Sequence, residues 1–525
     1  MKKVDKRKIF LVIIIILILI VIALFIGKFT FSYLAPDISE DINSKGEVTA
    51  SGDTIIFNNG KALTLSATTD NFTTGGTNLT STTNPTAKLV ASSKTNKADA
   101  TYYVGVYIKN NTYTYSTTAK TPEILLTIKD EKGNAVTSVD GLTYATSGGV
   151  SGFDVTDKIG LFNVDLSHAI TTTSSTTGTT HTWTFTLTFI NLSTDQSINE
   201  NANMNIDVYL QTKLFPSTVA DVCSGGETLA SCITTLSQKS IAGATNIYYH
   251  DSTLTNGAGD NSYRYSGANP NNYVCFGSDE STCPTDNLYR IIGVFDNQVK
   301  LIKYDYATST LLGTDGDYKG QYTYGDSAYK GSNYANVAAY YWNKATRTNT
   351  WSESNLNKIN LNTNFVNNIG TEWANKIADT AWKVGGNTYA NIYSKTPSVA
   401  YQNEIVSPVT TNTTDNATTY SAKVGLMYAS DYGFAASPSA WTANLNTYNG
   451  EAIKNVNWMY MGLYEWTLSR IANDAYEAFL VNNTGRVSYG RVGEYMFVVR
   501  PAFYLTSSVN YVSGSGTAAD PILVN

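Results

Sequence analysis

The sequence predicts a multidomain protein with a single N-terminal transmembrane helix, an all-β sandwich and then an α+β region. Three observations predict it. Residues Ile9 to Ile26 form an unbroken apolar run, IFLVIIIILILIVIALFI, behind the basic leader MKKVDKRK. Residues 37–214 are rich in Thr, Ser, Asn and Gly and alternate apolar with polar side chains. Beyond Leu214-Phe215-Pro216-Ser217, Trp, Tyr and Asn rise and helical spacings appear between strand-like segments.

The apolar run comes first. About 20 apolar residues at roughly 1.5 Å rise each cross the hydrocarbon core of a bilayer. Lys2, Lys3, Lys6, Arg7 and Lys8 place the leading end in the cytoplasm. Residues 1–8 are therefore read as a cytoplasmic leader and 9–27 as a transmembrane signal anchor in contact with the lipid bilayer. The C-terminus is expected outside the cell. A cleavable signal peptide is the competing reading, but its apolar region is usually about 7–15 residues with a small-x-small site after it. The following Lys28-Phe29-Thr30-Phe31-Ser32-Tyr33 offers no clean site of that kind. Either reading exports the protein.

A chain of 525 residues is expected to form two or three domains. Removing the leader's five basic and one acidic residues leaves 31 basic against 41 acidic groups, a net charge of about −10. That balance disfavours nucleic acid and anionic membrane surfaces as partners. The three histidines, His168, His181 and His250, are scattered along the chain, which argues against a metal site. No cofactor signature is present. The four cysteines, Cys223, Cys232, Cys275 and Cys283, suggest disulfides in an exported chain. Three pairings are possible; the local ones, Cys223–Cys232 and Cys275–Cys283, are favoured because each closes a short turn-rich loop.

In residues 37–214, Tyr102, Val104, Val106 and Ile108 alternate, as do Trp183, Phe185, Leu187 and Phe189, and then Met204, Ile206, Val208 and Leu210. Period-2 spacing puts each set on one face of a strand, with Thr184, Thr186 and Thr188 expected to face water. Lys129 to Asn134 reads as a hairpin tip between ILLTI and AVTSV. Leu214-Phe215-Pro216-Ser217 marks a boundary, and 215–239 is read as a linker to the region 240–525. There, LYRIIGVF and QVKLIKYDY read as a hairpin turning at Asp296-Asn297. Phe497 to Arg500 and Ala502 to Leu505 read as late strands. Ser352 is expected to cap a helix carrying Leu356 and Ile359. Thr371 is expected to cap another, with Trp373, Ile377, Ala378 and Ala381 on one stripe and Gly385-Gly386 as its stop.

Two resemblances follow from these residues. With its aromatic FSYL stretch and the strands ATYYVGVYIKNN and HTWTFTLTFINLS, the first region resembles exported β-sandwich proteins of the camelysin and TasA type, which implies surface or matrix material. Residues 240–525 resemble an uncharacterised family of bacterial surface domains. The marks are Tyr289-Arg290-Ile291-Ile292-Gly293, Tyr341-Trp342-Asn343, Trp351 to Asn357, Tyr464 to Arg470, Val499-Arg500-Pro501-Ala502, and Gly514-Ser515-Gly516-Thr517 running to Asp520-Pro521. More remotely, Glu465-Trp466-Thr467 before a late Arg-bearing strand is similar to the C-type-lectin-like fold of formylglycine-generating enzymes. Those enzymes depend on cysteines in the later half of the domain, and this chain has none after Cys283. The resemblance therefore implies a scaffold without the oxidase thiols.

Catalytic constellations are sparse. No histidine lies beyond residue 250 to serve as the base of a Ser-His-Asp triad. Glu465, Asp474, Glu477 and Glu494 are candidate glycosidase carboxylates, though linear spacing does not test their separation. Asp315, Asp317, Gly320 and Asp326 fit positions of a calcium loop, but Lys319 occupies a ligand position, and a plain turn is favoured. Trp458, Tyr460, Tyr464, Glu465, Trp466, Arg470 and Arg500 are the candidate ligand-binding residues. An internal Glu–Arg pair among them is favoured over a polar site because buried charges need partners. The expected function is a membrane-anchored bacterial surface protein presenting a non-enzymatic, adhesin-like recognition domain to an extracellular glycan or protein. Alternatives are an envelope or biofilm matrix component and, ranked last, an extracellular hydrolase.

Overall fold

The computed structural model describes residues 46–50, 53–68, 76–212, 215–240, 243–280, 282–324, 329–334, 337–409 and 418–525. The leader 1–8 and the anchor 9–27 lie outside the described residues. Among the described residues, no helix is long and apolar enough to cross a membrane. The protein is mostly β-sheet with few helices, in two units, 1–214 and 215–525.

Among its described residues, the first unit contains three antiparallel sheets. The longest strands, Ala98–Asn111, Gly160–Thr172 and Asn203–Gln211, lie side by side with Leu63–Ser66 at one edge. A second sheet runs Leu79–Thr83, Thr184–Phe189, Ile124–Lys129, Val150–Asp154, Thr143–Ser147. The third joins Gly46–Ala50, Asp53–Asn58, Thr86–Val90 and Thr179–Thr182. The three alternating sets read from the sequence are buried and share one core. Thr188 departs from the alternation. It is buried with Phe189 and Ile190, because this end of the strand is covered on both faces. The turn after Lys129 forms as expected: Asp130 Oδ1 accepts from Lys132 N at 2.9 Å and Asn134 N at 2.7 Å, and Gly133 takes φ 83°. Only the bridge Lys129–Ala135 continues it, however. Ile124–Lys129 takes its partners from Thr184–Phe189 and Val150–Asp154 instead of AVTSV.

The second unit is organised by the hairpin Leu288–Phe295/Gln298–Lys303. Asp296 and Asn297 turn it at φ 46° and 63°, the double positive φ that a tight hairpin needs. A nine-stranded sheet grows from it through Ala502–Tyr504 and Val424–Gly425 on one side. On the other side lie Tyr273–Cys275, Ile522–Val524 and Tyr511–Ser513, with Ile522–Val524 running parallel to Tyr273–Cys275. A second sheet holds Glu465–Arg470, Glu477–Val481 and Val487–Arg491.

Three local expectations are corrected. Residues 215–239 do not act as a linker but belong to the second unit. Thr228 caps the helix Leu229–Lys239, which buries Leu229, Ile233 and Leu236 in that unit's core. Ser352 caps nothing. The wide-turned helix Leu356–Phe365 starts where Asp317 Oδ2 accepts from Leu356 N at 2.8 Å and Ser354 Oγ from Asn357 N at 3.2 Å. Thr371 is the first residue of a short helix, Thr371–Asn375. Ala381 lies exposed on the strand Thr380–Lys383, where alternation around buried Trp382 overrides the helical stripe.

Leu187 is fully buried in the first unit's core. Leu187→Ala is expected to cost about 2–5 kcal/mol, read as a lower urea midpoint for the unit that contains the buried Trp183 fluorophore.

Candidate functional site

Glu465 opens a strand whose every residue is buried, and Arg500 follows the short strand Met496–Phe497. A parallel bridge between Glu465 and Val498 sets the two segments side by side. Arg500 Nε donates to Glu465 Oε1 at 2.7 Å and Nη2 donates to Oε2 at 2.8 Å, a bidentate pair. Nη2 also donates to the Met459 carbonyl at 2.9 Å, and Nη1 lies 3.1 Å from Met461 Sδ. The pair is closed from water, with side-chain exposures of 1% and 3%. Burial pushes the Glu465 carboxyl above its ordinary value against the pull of Arg500. Burial also works against the guanidinium charge, but the carboxylate more than offsets it and raises Arg500.

The other five candidates divide. Trp466 donates Nε1 to the Tyr340 carbonyl at 3.0 Å, and Trp458 donates to the Tyr265 carbonyl at 2.8 Å. Tyr464 stacks on Phe497 with ring centroids 5.2 Å apart, and the Tyr460 hydroxyl donates to the Asn483 carbonyl at 2.8 Å. These contacts are packing. Arg470 does not join the pair. Its Nε donates to the Val384 carbonyl at 3.0 Å and its Nη2 contacts the Val409 carbonyl at 3.4 Å. Nη1 is buried with no partner among the described residues, and burial pushes the guanidinium down to about 10.

Among the other carboxylates named from the sequence, Asp474, Glu494 and Asp317 are engaged locally. Asp474 accepts from Tyr476 N at 2.7 Å, and Glu494 pairs with Arg491 at 3.2 Å on the surface. Asp317 is an internal cap, accepting from Lys344 N at 2.9 Å as well as from Leu356 N; Asp326 lies outside the described residues. Both disulfides take the local pairing, Cys223–Cys232 and Cys275–Cys283, with Cα separations of 5.5 and 5.7 Å. His250 lies apart in the second unit, its Nδ1 accepting from Ala258 N at 3.0 Å. His168 and His181 are not scattered in space: their ring centroids lie 5.5 Å apart in the first unit.

The second unit holds a second buried charge cluster. Asp431 meets Lys300 Nζ at 2.5 Å and Arg264 Nη1 at 3.5 Å, and Arg264 also pairs with Asp260 at 2.5 Å. Next to it, Glu404 accepts from Ala429 N at 3.0 Å and Ser430 N at 3.1 Å. The available signal was a charge inside an apolar strand, Lys300 in QVKLIK and Arg264 in SYRY. Outside these clusters the second unit displays tyrosine. Tyr389 and Tyr393 stack with centroids 4.5 Å apart, Tyr489 stands edge-on 4.7 Å from Tyr389, and Tyr489 and Tyr476 are 41% and 58% exposed.

No family model matches the chain, and no curated protein matches it. Among solved structures, 33% of the chain is similar to the enzymatically active domain of bacteriophage CBA120 tailspike protein 4, at 15% sequence identity and a TM-score of 0.11. The chain spans 20% of that structure's length. A likeness this slight carries no argument about fold or activity.

Glu465→Gln leaves Arg500 buried opposite a neutral partner and is expected to cost about 3–5 kcal/mol in urea unfolding. The double change Glu465→Leu/Arg500→Met is expected to cost far less, since it removes both charges. Glu404 supplies a pH test. Burial pushes its carboxyl up to about 7 from 4.5, against hydrogen bonds from Ser430 and Ala429. A raised acid contributes stability that is complete below its unfolded pKa and is lost as pH rises through the folded one. Glu404→Gln is therefore expected to gain on the parent between about pH 5 and about pH 8, read from urea midpoints.

Proposed function

We propose that this is a membrane-anchored bacterial surface protein whose second unit is a non-enzymatic, adhesin-like recognition domain with a lectin-like scaffold. The tyrosine cluster Tyr389, Tyr393 and Tyr489 carries this reading. Three rings in contact at a partly exposed surface offer flat apolar faces edged with hydroxyls. A sugar ring presents the complementary surface, C–H groups on its faces and hydroxyls at its rim. The acids and bases named from the sequence give a hydrolase less support, because Glu465, Asp474 and Glu494 are engaged by neighbours. Export is supported by the apolar run at 9–27 and by two disulfides, which persist in oxidising compartments. The first unit follows the anchor in the chain and would act as a spacer.

Glycan arrays probed with the full-length chain in detergent test this. Binding to a defined glycan set is expected, weakened about fivefold to tenfold by Tyr489→Ala or Tyr393→Ala, with the melting profile retained. A folded chain that binds no glycan, or binds equally well in both variants, removes the reading.

A further inference from the structure

The first unit assembles three side chains that the sequence keeps apart. Glu131 lies on the turn that Asp130 holds, His168 on the strand Gly160–Thr172 and His181 on the strand Thr179–Thr182. One ligating atom from each lies within 4.8 Å of the others. A bulge helps: the register between Gly160–Thr172 and Ala98–Asn111 shifts between Asp165 and His168, which sets His168 opposite Tyr102.

Each imidazole is oriented through Nδ1. His168 Nδ1 lies 2.9 Å from Asp165 Oδ2, and His181 Nδ1 lies 3.1 Å from the Tyr102 hydroxyl. The Tyr102 oxygen has two lone pairs, so it can accept from His181 Nδ1–H and from Trp183 Nε1, which donates to it at 2.8 Å. Donation from Nδ1 leaves Nε2 of each ring with a lone pair, the arrangement that carboxylates and other acceptors impose on metal-binding histidines.

The decisive contact is between His168 Nε2 and Glu131 Oε2. They lie 2.9 Å apart, on side chains only 16% and 10% exposed. Both atoms are buried, and neither has a hydrogen-bond partner, so the contact is out of line for an N–H donor. Two lone-pair atoms held that close need a cation to which both can turn. Glu131 and Asp165 together supply two negative charges, which suits a dication. Lys132 Nζ, 3.6 Å from Glu131 Oε1, is mostly in water.

We propose that Glu131, His168 and His181 form a site for a borderline divalent transition-metal ion of the zinc class, with Asp165 and Tyr102 as positioning residues. Two imidazole nitrogens and one carboxylate oxygen suit such an ion, whereas calcium and magnesium favour all-oxygen shells. Tetrahedral ligands at about 2.0–2.1 Å from zinc stand about 3.3 Å from one another. Rotation of the Glu131 side chain on its turn supplies the small adjustment. Three protein ligands leave a fourth position for water or an external ligand.

The test uses the full-length chain in detergent, stripped with EDTA and titrated with Zn²⁺ by calorimetry. Expected are one Zn²⁺ per chain, no competition from excess Ca²⁺, and a visible absorption band when Co²⁺ replaces Zn²⁺. Glu131→Gln and His181→Gln are each expected to weaken binding at least about tenfold, and Asp165→Asn about 10–100-fold. Glu131 sits on a surface turn, so Glu131→Gln keeps the test valid should a histidine variant misfold. Absence of Zn²⁺ binding, or binding unchanged in Glu131→Gln and Asp165→Asn, overturns the proposal.

Discussion

Asp431 is 3% exposed, and three elements of the second unit meet at its carboxylate. Lys300 arrives from the central hairpin, Arg264 from the strand Ser262–Tyr265, and Tyr428 N from the start of the helix Ala429–Phe434 at 3.0 Å. A carboxylate removed from water is stable only when donors surround it, and here two of the three, Lys300 and Arg264, come from segments far from it in sequence. The same constraint acts at Glu465–Arg500, which ties a buried strand to the segment after Phe497. Such pairs need not add net stability, because desolvation opposes the Coulomb attraction. They do make alternative packings costly, since a misplaced segment would strand a charge inside.

That constraint separates structure from recognition. The charged residues that looked most chemical in the sequence are those the fold requires for itself. The oxygens and nitrogens of Glu465 and Arg500 are taken up by each other and by the Met459 carbonyl and Met461 Sδ, and the neighbouring Trp458 and Trp466 donate inward. Chemistry directed at an external molecule falls to side chains that local order holds and the core does not consume. In the second unit the side chains held this way are tyrosines, Tyr389, Tyr393 and Tyr489, which present broad faces at little cost in side-chain freedom.

Much of the first unit was legible in the sequence because its strands follow one rule. Inward side chains at every second position of Ala98–Asn111 and Thr184–Phe189 announce the face, and their neighbours announce the turn. The Asp296-Asn297 hairpin was equally legible, since few residue pairs take positive φ twice. The second unit was less so. Its helices are short and broken, and features such as Asp317 capping Leu356 are set by tertiary contacts. The helix Leu229–Lys239 lies in the stretch that reads as a linker, although its apolar residues recur at helical spacing. Proximity was the larger gap. Glu465 and Arg500 lie together while Arg470, nearer in sequence, does not, and His168 reaches His181 only through strand pairing and a bulge.

The parallel pairing of Ile522–Val524 with Tyr273–Cys275 bears on biogenesis. Val274 aligns with Ile522, so this part of the central sheet can form only after the whole intervening chain is present. In a chain synthesised from its N-terminal end, the first unit can fold while Tyr273–Cys275 still shows an open edge. Open edges invite pairing with other chains, and distant contacts form slowly. The Cys275–Cys283 bond needs only eight residues of separation and can form early. It would hold that waiting edge in a short closed loop, limiting wrong partners until the proper strand arrives.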